Sequence, residues 1–339
     1  MLITGRVENG SGRNSRMAAK LTADYWTPLG FVPPPGTLNV RVTREDRAGL
    51  IRLPGVTIGR FTYRPATLNG VKCYVRTNRG PRTLEIVHPQ RLRDKLTNGD
   101  TITLEMHEPR PMKLSAVIMA HPKRAWAVEE LQAQLDREVP VIYDENPVPS
   151  ADPEQRWATG VRAWEAHDPS ADYHLVLQDD ITVSHDLLAG AEQALTQLGP
   201  KGLLSLYAGT GRPDQNNIKR MLAGAQRRGY TWGSVRSLNW GCGIIAPVAD
   251  IPGALEWCSD PATESLRPRN RNYDYRLGVY FRDVLGYRTW HTCPSLVEHR
   301  GLPSLIGHDT GDVRRAHSFH DGSALDIDWS LHAGLNPLH

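Results

Sequence analysis

The chain has 339 residues, 40% of them hydrophobic and 23% charged, with a formal net charge of +3. These are the proportions of a soluble globular protein with room for about two domains. No apolar run approaches the ~20 residues of a membrane span, and the charge is too small to announce a nucleic-acid binder.

The first residues, MLITGRVENGSGRN, lack an apolar core of signal-peptide length, so export is not expected and a cytoplasmic location is. Short β-rich runs then recur at Leu2–Val7, Thr37–Val42, Val56–Tyr63, Val71–Arg76, Thr83–Val87 and Thr101–Met106. PPPG, LNG, NRGP and TNGD punctuate them, and this spacing predicts a small β-barrel. Helices are expected over Arg16–Tyr25 and Gln90–Leu96.

The rhythm changes after Glu108-Pro109-Arg110-Pro111, which sets a domain boundary between 1–108 and 109–339. Leu114–Met119 is a continuous apolar run, as in a buried parallel strand. A helix over Trp126–Arg137, a strand over Val139–Tyr143 ending in Asp144, and a helix over Arg156–His167 follow. Tyr173–Leu177 is a third strand, closing in Gln178-Asp179-Asp180. Asp186–Leu198 reads as a helix and Gly202–Tyr207 as a fourth strand. Strands alternating with helices make a sheet covered by helices, with ligands beyond the carboxyl ends of the strands. Asp144, Asp179 and Asp180 are thereby expected on one rim. Two adjacent carboxylates after a buried strand repel each other, and a divalent cation is the usual remedy, a solvated loop the bland alternative.

Four cysteines, Cys73, Cys242, Cys258 and Cys293, have no CxxC spacing and read as reduced thiols. Seven of the nine tryptophans lie between residues 120 and 300, which suits an aromatic-walled cleft or a packed core equally. The basic clusters 267–271 and Arg314-Arg315 read as phosphate contacts or as solvated loops.

LSAVIMAHPKR, VPVIYDENP and YHLVLQDDITV together resemble the nucleotide-sugar-binding half of a GT-A-fold glycosyltransferase. LVLQDD, SLYAGTG, WGCGIIAP and PSLVEHRGLPSLIGH resemble stations of glycosyltransferase-like proteins of actinobacterial phages. The resemblance implies an α/β GT-A-like domain with a mixed sheet, a nucleotide-sugar donor, and Mn²⁺ or Mg²⁺ held against its diphosphate. Carried onto this sequence, Asp180 is the metal ligand, with Asp179 toward the ribose or also on the metal. His121, Arg124 and Asp144 grip the donor, and His299, beside Glu298 and ahead of His308, is a further ligand. Asp274 is the candidate acceptor base, with a helix N-terminal carboxylate as its bland alternative. NWGCGIIAP places small residues where backbone approaches a sugar, or else forms a tight turn.

GRVENGSGRN, LGFVPPPGTLNVRV, NGVKCYV and LEIVHPQRLRDKLTNGDTITLEM resemble the archaeal CTP-dependent riboflavin kinase, a cradle-loop barrel, over residues 1–106. That resemblance puts Mg²⁺ and CTP on Gly36, Thr37, Leu38 and Asn39, with phosphates cradled at Gly5, Gly10 and Gly12. Glu85 matches a position near the flavin. The stretch between Cys73 and Leu84 is short for the family, which thins the flavin wall.

Three functions follow as expectations. The first is a metal-dependent glycosyltransferase carrying a kinase-like barrel, whose acceptor is unknown, a modified base in phage DNA being one candidate. In that case the location is the host cytoplasm. The second is a bifunctional enzyme whose barrel is a CTP-dependent small-molecule kinase. The third is a protein that binds nucleotides or nucleic acid without chemistry.

Overall fold

Strand β1 (Leu2–Glu8) buries Ile3, Gly5 and Val7 and exposes the residues between them, the period-two pattern of a half-buried strand. It belongs to a computed structural model that describes residues 1–9, 26, 29, 31–53, 55–58, 61–77, 82–107, 111–150, 152–198, 202–210, 215–266, 272–305 and 314–329. The chain divides into two compact units, one chiefly Met1–Arg110, the other Pro111–Leu195 with Pro200–His332. The expected helix over Arg16–Tyr25, together with Gly10, Gly12, His308 and the basic cluster 267–271, lies outside the described residues.

In the first unit β1 is followed by β2 (Leu38–Arg41), helix α1 (Arg44–Arg52), β3 (Val56–Ile58) and β4 (Phe61–Leu68). Then come β5 (Val71–Thr77), β6 (Thr83–Val87) and β7 (Thr101–Met106). The order β4-β5-β6-β2-β1-β7 closes on itself through β7 and β4, all antiparallel, into a six-stranded barrel. Closure removes the exposed strand edges that open sheets must protect. Alternate residues fill it: Ile3, Val40, Leu68, Val75, Ile86 and Leu104 are buried in one cluster. The single strand expected over Val56–Tyr63 is a hairpin, β3 turning back into β4. Gly5 is not in a phosphate loop. It lies inside β1, where a Cβ would meet Val40 Cγ1 at 2.5 Å, so it serves strand packing.

The second unit runs β8 (Leu114–Ala120), α2 (Ala125–Gln132), β9 (Val141–Tyr143), α3 (Pro153–Glu165), β10 (Tyr173–Gln178) and β11 (Ile181–Val183). Next are α4 (Leu187–Leu198), β12 (Leu204–Ser205), α5 (Gln215–Arg228), β13 (Trp232–Val235), β14 (Gly243–Pro247) and α6 (Ile251–Ser259). It ends with α7 (Tyr273–Val279), β15 (Thr289–Thr292) and β16 (Val297–His299). Its seven-stranded sheet has the order β13-β15-β12-β14-β10-β8-β9 and is mixed: β9, β8 and β10 are parallel, while β14 is antiparallel to β10. β11 and β16 form a separate antiparallel pair. GIIAP is thus a central strand and not a tight turn, with Gly243 packed between Val297 and Leu177. No helix among the described residues is long and apolar enough to cross a membrane.

Two histidines sit inside this sheet. His174 on β10 and His291 on β15 are each 0% exposed, and burial pushes each down to a pKa of about 4. Unfolded, each binds a proton below its ordinary value of 6.5. Folded, each resists protonation until about pH 4, so the unfolded state holds more protons in between and stability is lost as the pH is lowered. Each is expected to remove up to about 3 kcal/mol by pH 4. Melting temperatures from pH 7 to pH 4 should fall steeply for the wild type and less for His174→Phe. Equal slopes for the two proteins would contradict this.

Candidate functional site

The register of the parallel strands builds the site. Gln178 pairs with Met119 and Ala120 with Tyr143, so β10, β8 and β9 end side by side. The residues that follow, Asp179, His121 and Asp144, meet on one rim, as the strand-end pattern predicts. His121 N–H donates to Asp179 Oδ2 at 2.8 Å. Antiparallel β14 delivers Gly241 and Cys242 to the same rim. β11 begins directly after Asp180 and pairs Ile181 with His299, which sets His299 Nε2 3.6 Å from Asp180 Oδ2. Asp274, in the first turn of α7, completes a cleft whose walls include Met119, Arg156, Trp240 and Arg314. Asp144 also lines it, and its Oδ1 accepts from Asn146 N–H in a local turn.

Arg124 organises the electrostatics. Its Nη1 lies 2.9 Å from Asp179 Oδ1 and 2.9 Å from Asp180 Oδ2, and its Nη2 donates to Pro303 O at 2.8 Å. Burial and the Asp180 charge raise the Asp179 pKa, and Arg124 opposes them. Burial alone would lower Arg124, but the two carboxylates outweigh it and its pKa is raised. Burial lowers His299, with Arg314 and Arg124 adding to it and Asp180 opposing.

The predicted divalent ion needs lone pairs from Asp179, Asp180 and His299. Asp179 has both oxygens engaged, and Asp180 has one engaged by Arg124. Of the carboxylate oxygens of this pair, Asp180 Oδ1 is the one buried without a partner among the described residues. His299 Nδ1 already accepts from Gly301 N–H at 2.9 Å, which places its ring hydrogen on Nε2, the nitrogen facing Asp180. Among the described residues no group of three or more His, Cys, Asp or Glu could hold a metal ion. As arranged, Asp179, Asp180 and His299 do not offer the expected Mn²⁺ or Mg²⁺ a set of free lone pairs.

Pattern reading also missed contributors. Tyr273 Oη donates to Gly241 O, and a Cβ on Gly241 would lie 2.5 Å from Tyr273 Oη, so the tyrosine by itself requires a glycine there. Arg156 and Trp240 carried no positional signal, since a helix and a core account for them equally well. Arg314 stood out only as part of a basic pair.

The barrel carries its own candidate site. Gly36 has φ +107°, a backbone shape that glycine adopts without strain, and Thr37 beside it is half-buried. Asn39 on β2 is buried, and its Oδ1 has no partner among the described residues. Asn39 pairs across the sheet with Glu85, and Glu85 with Arg76. Arg76 Nε donates to Glu85 Oε2 at 2.5 Å, its Nη1 to Tyr63 Oη at 3.1 Å, and its guanidinium lies 3.9 Å from the Phe61 ring centroid. Glu85 is therefore held in a buried ion pair with Arg76.

The CTP-dependent riboflavin kinase family, described as a domain of unknown function (DUF120), matches residues 10–106. The riboflavin kinase of Thermococcus kodakarensis is 35% identical over 126 residues, covering 31% of this chain and 58% of that protein. That of Archaeoglobus fulgidus is 33% identical over 116 residues, covering 29% and 50%. That of Staphylothermus marinus is 29% identical over 115 residues, covering 31% and 88%. The chain thus spans about half the length of the Thermococcus and Archaeoglobus relatives. A solved Thermus thermophilus mannose-1-phosphate geranyltransferase is similar at 14% identity over 53% of this chain and 74% of that one, with a TM-score of 0.24. The N-terminal region matches the kinase family, and its fold is the closed barrel described above.

Proposed function

We propose that the chain is a two-site transferase whose barrel uses CTP to phosphorylate a small molecule. One observation carries this reading: the buried, unpartnered Asn39 Oδ1 stands in the Gly-Thr-Leu-Asn stretch of the region that matches the kinase family. Neutral carbonyl and hydroxyl oxygens suit a hard cation whose ligand brings the negative charge. Thr37 and Asn39 would hold Mg²⁺, which offsets the charge of the phosphates. The turn at Gly36 lets backbone approach them. The γ-phosphorus then forms a bond to the acceptor oxygen as its bond to CDP breaks, and the hydroxyl proton passes to solvent. The sealed Glu85–Arg76 pair means that the acceptor is recognised by other groups than the Glu85 carboxylate. CTP with Mg²⁺ and a panel of hydroxylated acceptors, riboflavin included, should yield CDP. Thr37→Ala with Asn39→Ala should abolish it, and CTP consumption that survives the double change would refute the assignment.

A second reading belongs to the second unit and is favoured by the convergence of His121, Arg124, Asp179, Asp180 and Asp274 on one cleft. There the chain acts as a glycosyltransferase of GT-A type. The anomeric carbon leaves the donor diphosphate and bonds to an acceptor oxygen, whose proton Asp274 receives. The exposed Arg315 suits an anionic acceptor such as DNA carrying a modified base. UDP-, GDP-, CDP- and dTDP-sugars should be screened for nucleotide release. Asp180→Asn is expected to slow release by roughly a hundredfold or more. Binding without release for every donor would leave a binding protein in its place.

A further inference from the structure

His121 and His299 reach the cleft from different strands, yet the backbone pins them alike. His121 Nδ1 accepts from Lys123 N–H at 3.1 Å, and His299 Nδ1 accepts from Gly301 N–H at 2.9 Å. A neutral imidazole has one lone-pair nitrogen and one N–H. Accepting at Nδ1 leaves the hydrogen on Nε2 in both rings. Each ring therefore shows the cleft a donor and not a lone pair. His121 Nε2 is buried and, among the described residues, this donor finds no acceptor. Arg124 lines the same cleft, and among the described residues acceptors are found for three of its five N–H groups.

The geometry points to an oxyanion floor: His121, His299 and Arg124 hold the diphosphate of the ligand through N–H donors, with no divalent ion. The inference rests on the reading of this cleft as a nucleotide-sugar site. Arg124 already bridges the two carboxylates at 2.9 Å, the place a cation would take between them. Ligation by either histidine at Nε2 would need its hydrogen on Nδ1 and would cost the backbone hydrogen bond there. A phosphate oxygen asks for no such change, because it accepts what both rings already offer. Asp180 Oδ1, buried and unpartnered, is left to accept from a hydroxyl of the ligand.

The test is calorimetric titration of UDP, GDP and dTDP into the full chain, once with EDTA and once with Mn²⁺. An Asn39→Ala protein run in parallel removes the barrel's share of binding. At least one diphosphate should bind in EDTA, and Mn²⁺ should leave its affinity unchanged. His121→Leu and His299→Leu should each weaken it by about tenfold to a hundredfold. His121→Gln and His299→Gln, which keep an N–H donor near the Nε2 position, should restore most of that loss and guard against a mere folding defect. Binding that requires Mn²⁺ and ignores the leucine changes would overturn the floor while leaving the nucleotide reading intact. Absence of binding under both conditions would overturn both.

Discussion

Arg124→Met is expected to destabilise the second unit by about 3–5 kcal/mol, the usual cost of leaving a buried charge without its partner. The side chains of Arg124, Asp179 and Asp180 are only 11%, 8% and 15% exposed, so water offers them little compensation. Removing the guanidinium leaves two adjacent carboxylates facing each other and frees the main-chain oxygen of Pro303. Chemical denaturation with a probe in the second unit measures the loss. Mn²⁺ without nucleotide should then raise the melting temperature of Arg124→Met, because the vacated space between the carboxylates suits a cation, and should leave the wild type unmoved. A wild type that Mn²⁺ stabilises as strongly as the variant would contradict the role given to Arg124.

Arg76→Met should cost the barrel a similar amount, about 3–5 kcal/mol. Here the side chains of Arg76 and Glu85 are 6% and 2% exposed. The guanidinium also donates to Tyr63 Oη and covers the Phe61 ring. The double change Arg76→Met with Glu85→Gln should recover part of the loss, since it removes the stranded charge and leaves a neutral group to desolvate. If the double variant is as unstable as the single one, packing of the arginine stem and not the ion pair carries the stability.

Much of the architecture is legible in the pattern of residues. Period-two alternation marks β1 and β7, and apolar runs mark β8 and β10 as buried parallel strands. The rim of Asp144, His121 and Asp179 follows from those strands alone, because parallel neighbours in register must end together. Other elements are hidden for physical reasons. Val56–Tyr63 reads as one strand because the one break between its two segments, Gly59-Arg60, stands inside an otherwise β-rich run. Helix α1 is mostly charged, and its local mark is the Thr43 cap, whose side chain accepts from Asp46 N–H at 2.9 Å. The fate of Glu85 was invisible, because its partner Arg76 lies nine residues away on a neighbouring strand and only the register brings them together. The histidine tautomers were equally hidden. They depend on the Lys123 and Gly301 backbone N–H groups, and a residue pattern that shows a histidine near two carboxylates shows a metal site and a donor site alike.

The central claim is that one chain holds two nucleotide sites of different kinds. Titrating the full chain with CTP and Mg²⁺, and separately with the nucleotide sugar that the screen selects, tests it most directly. The account predicts saturable binding of both. Asn39→Ala should weaken only the CTP isotherm, and His121→Leu only that of the sugar nucleotide. A single shared site, or loss of both isotherms in either variant alone with the fold intact, would contradict it.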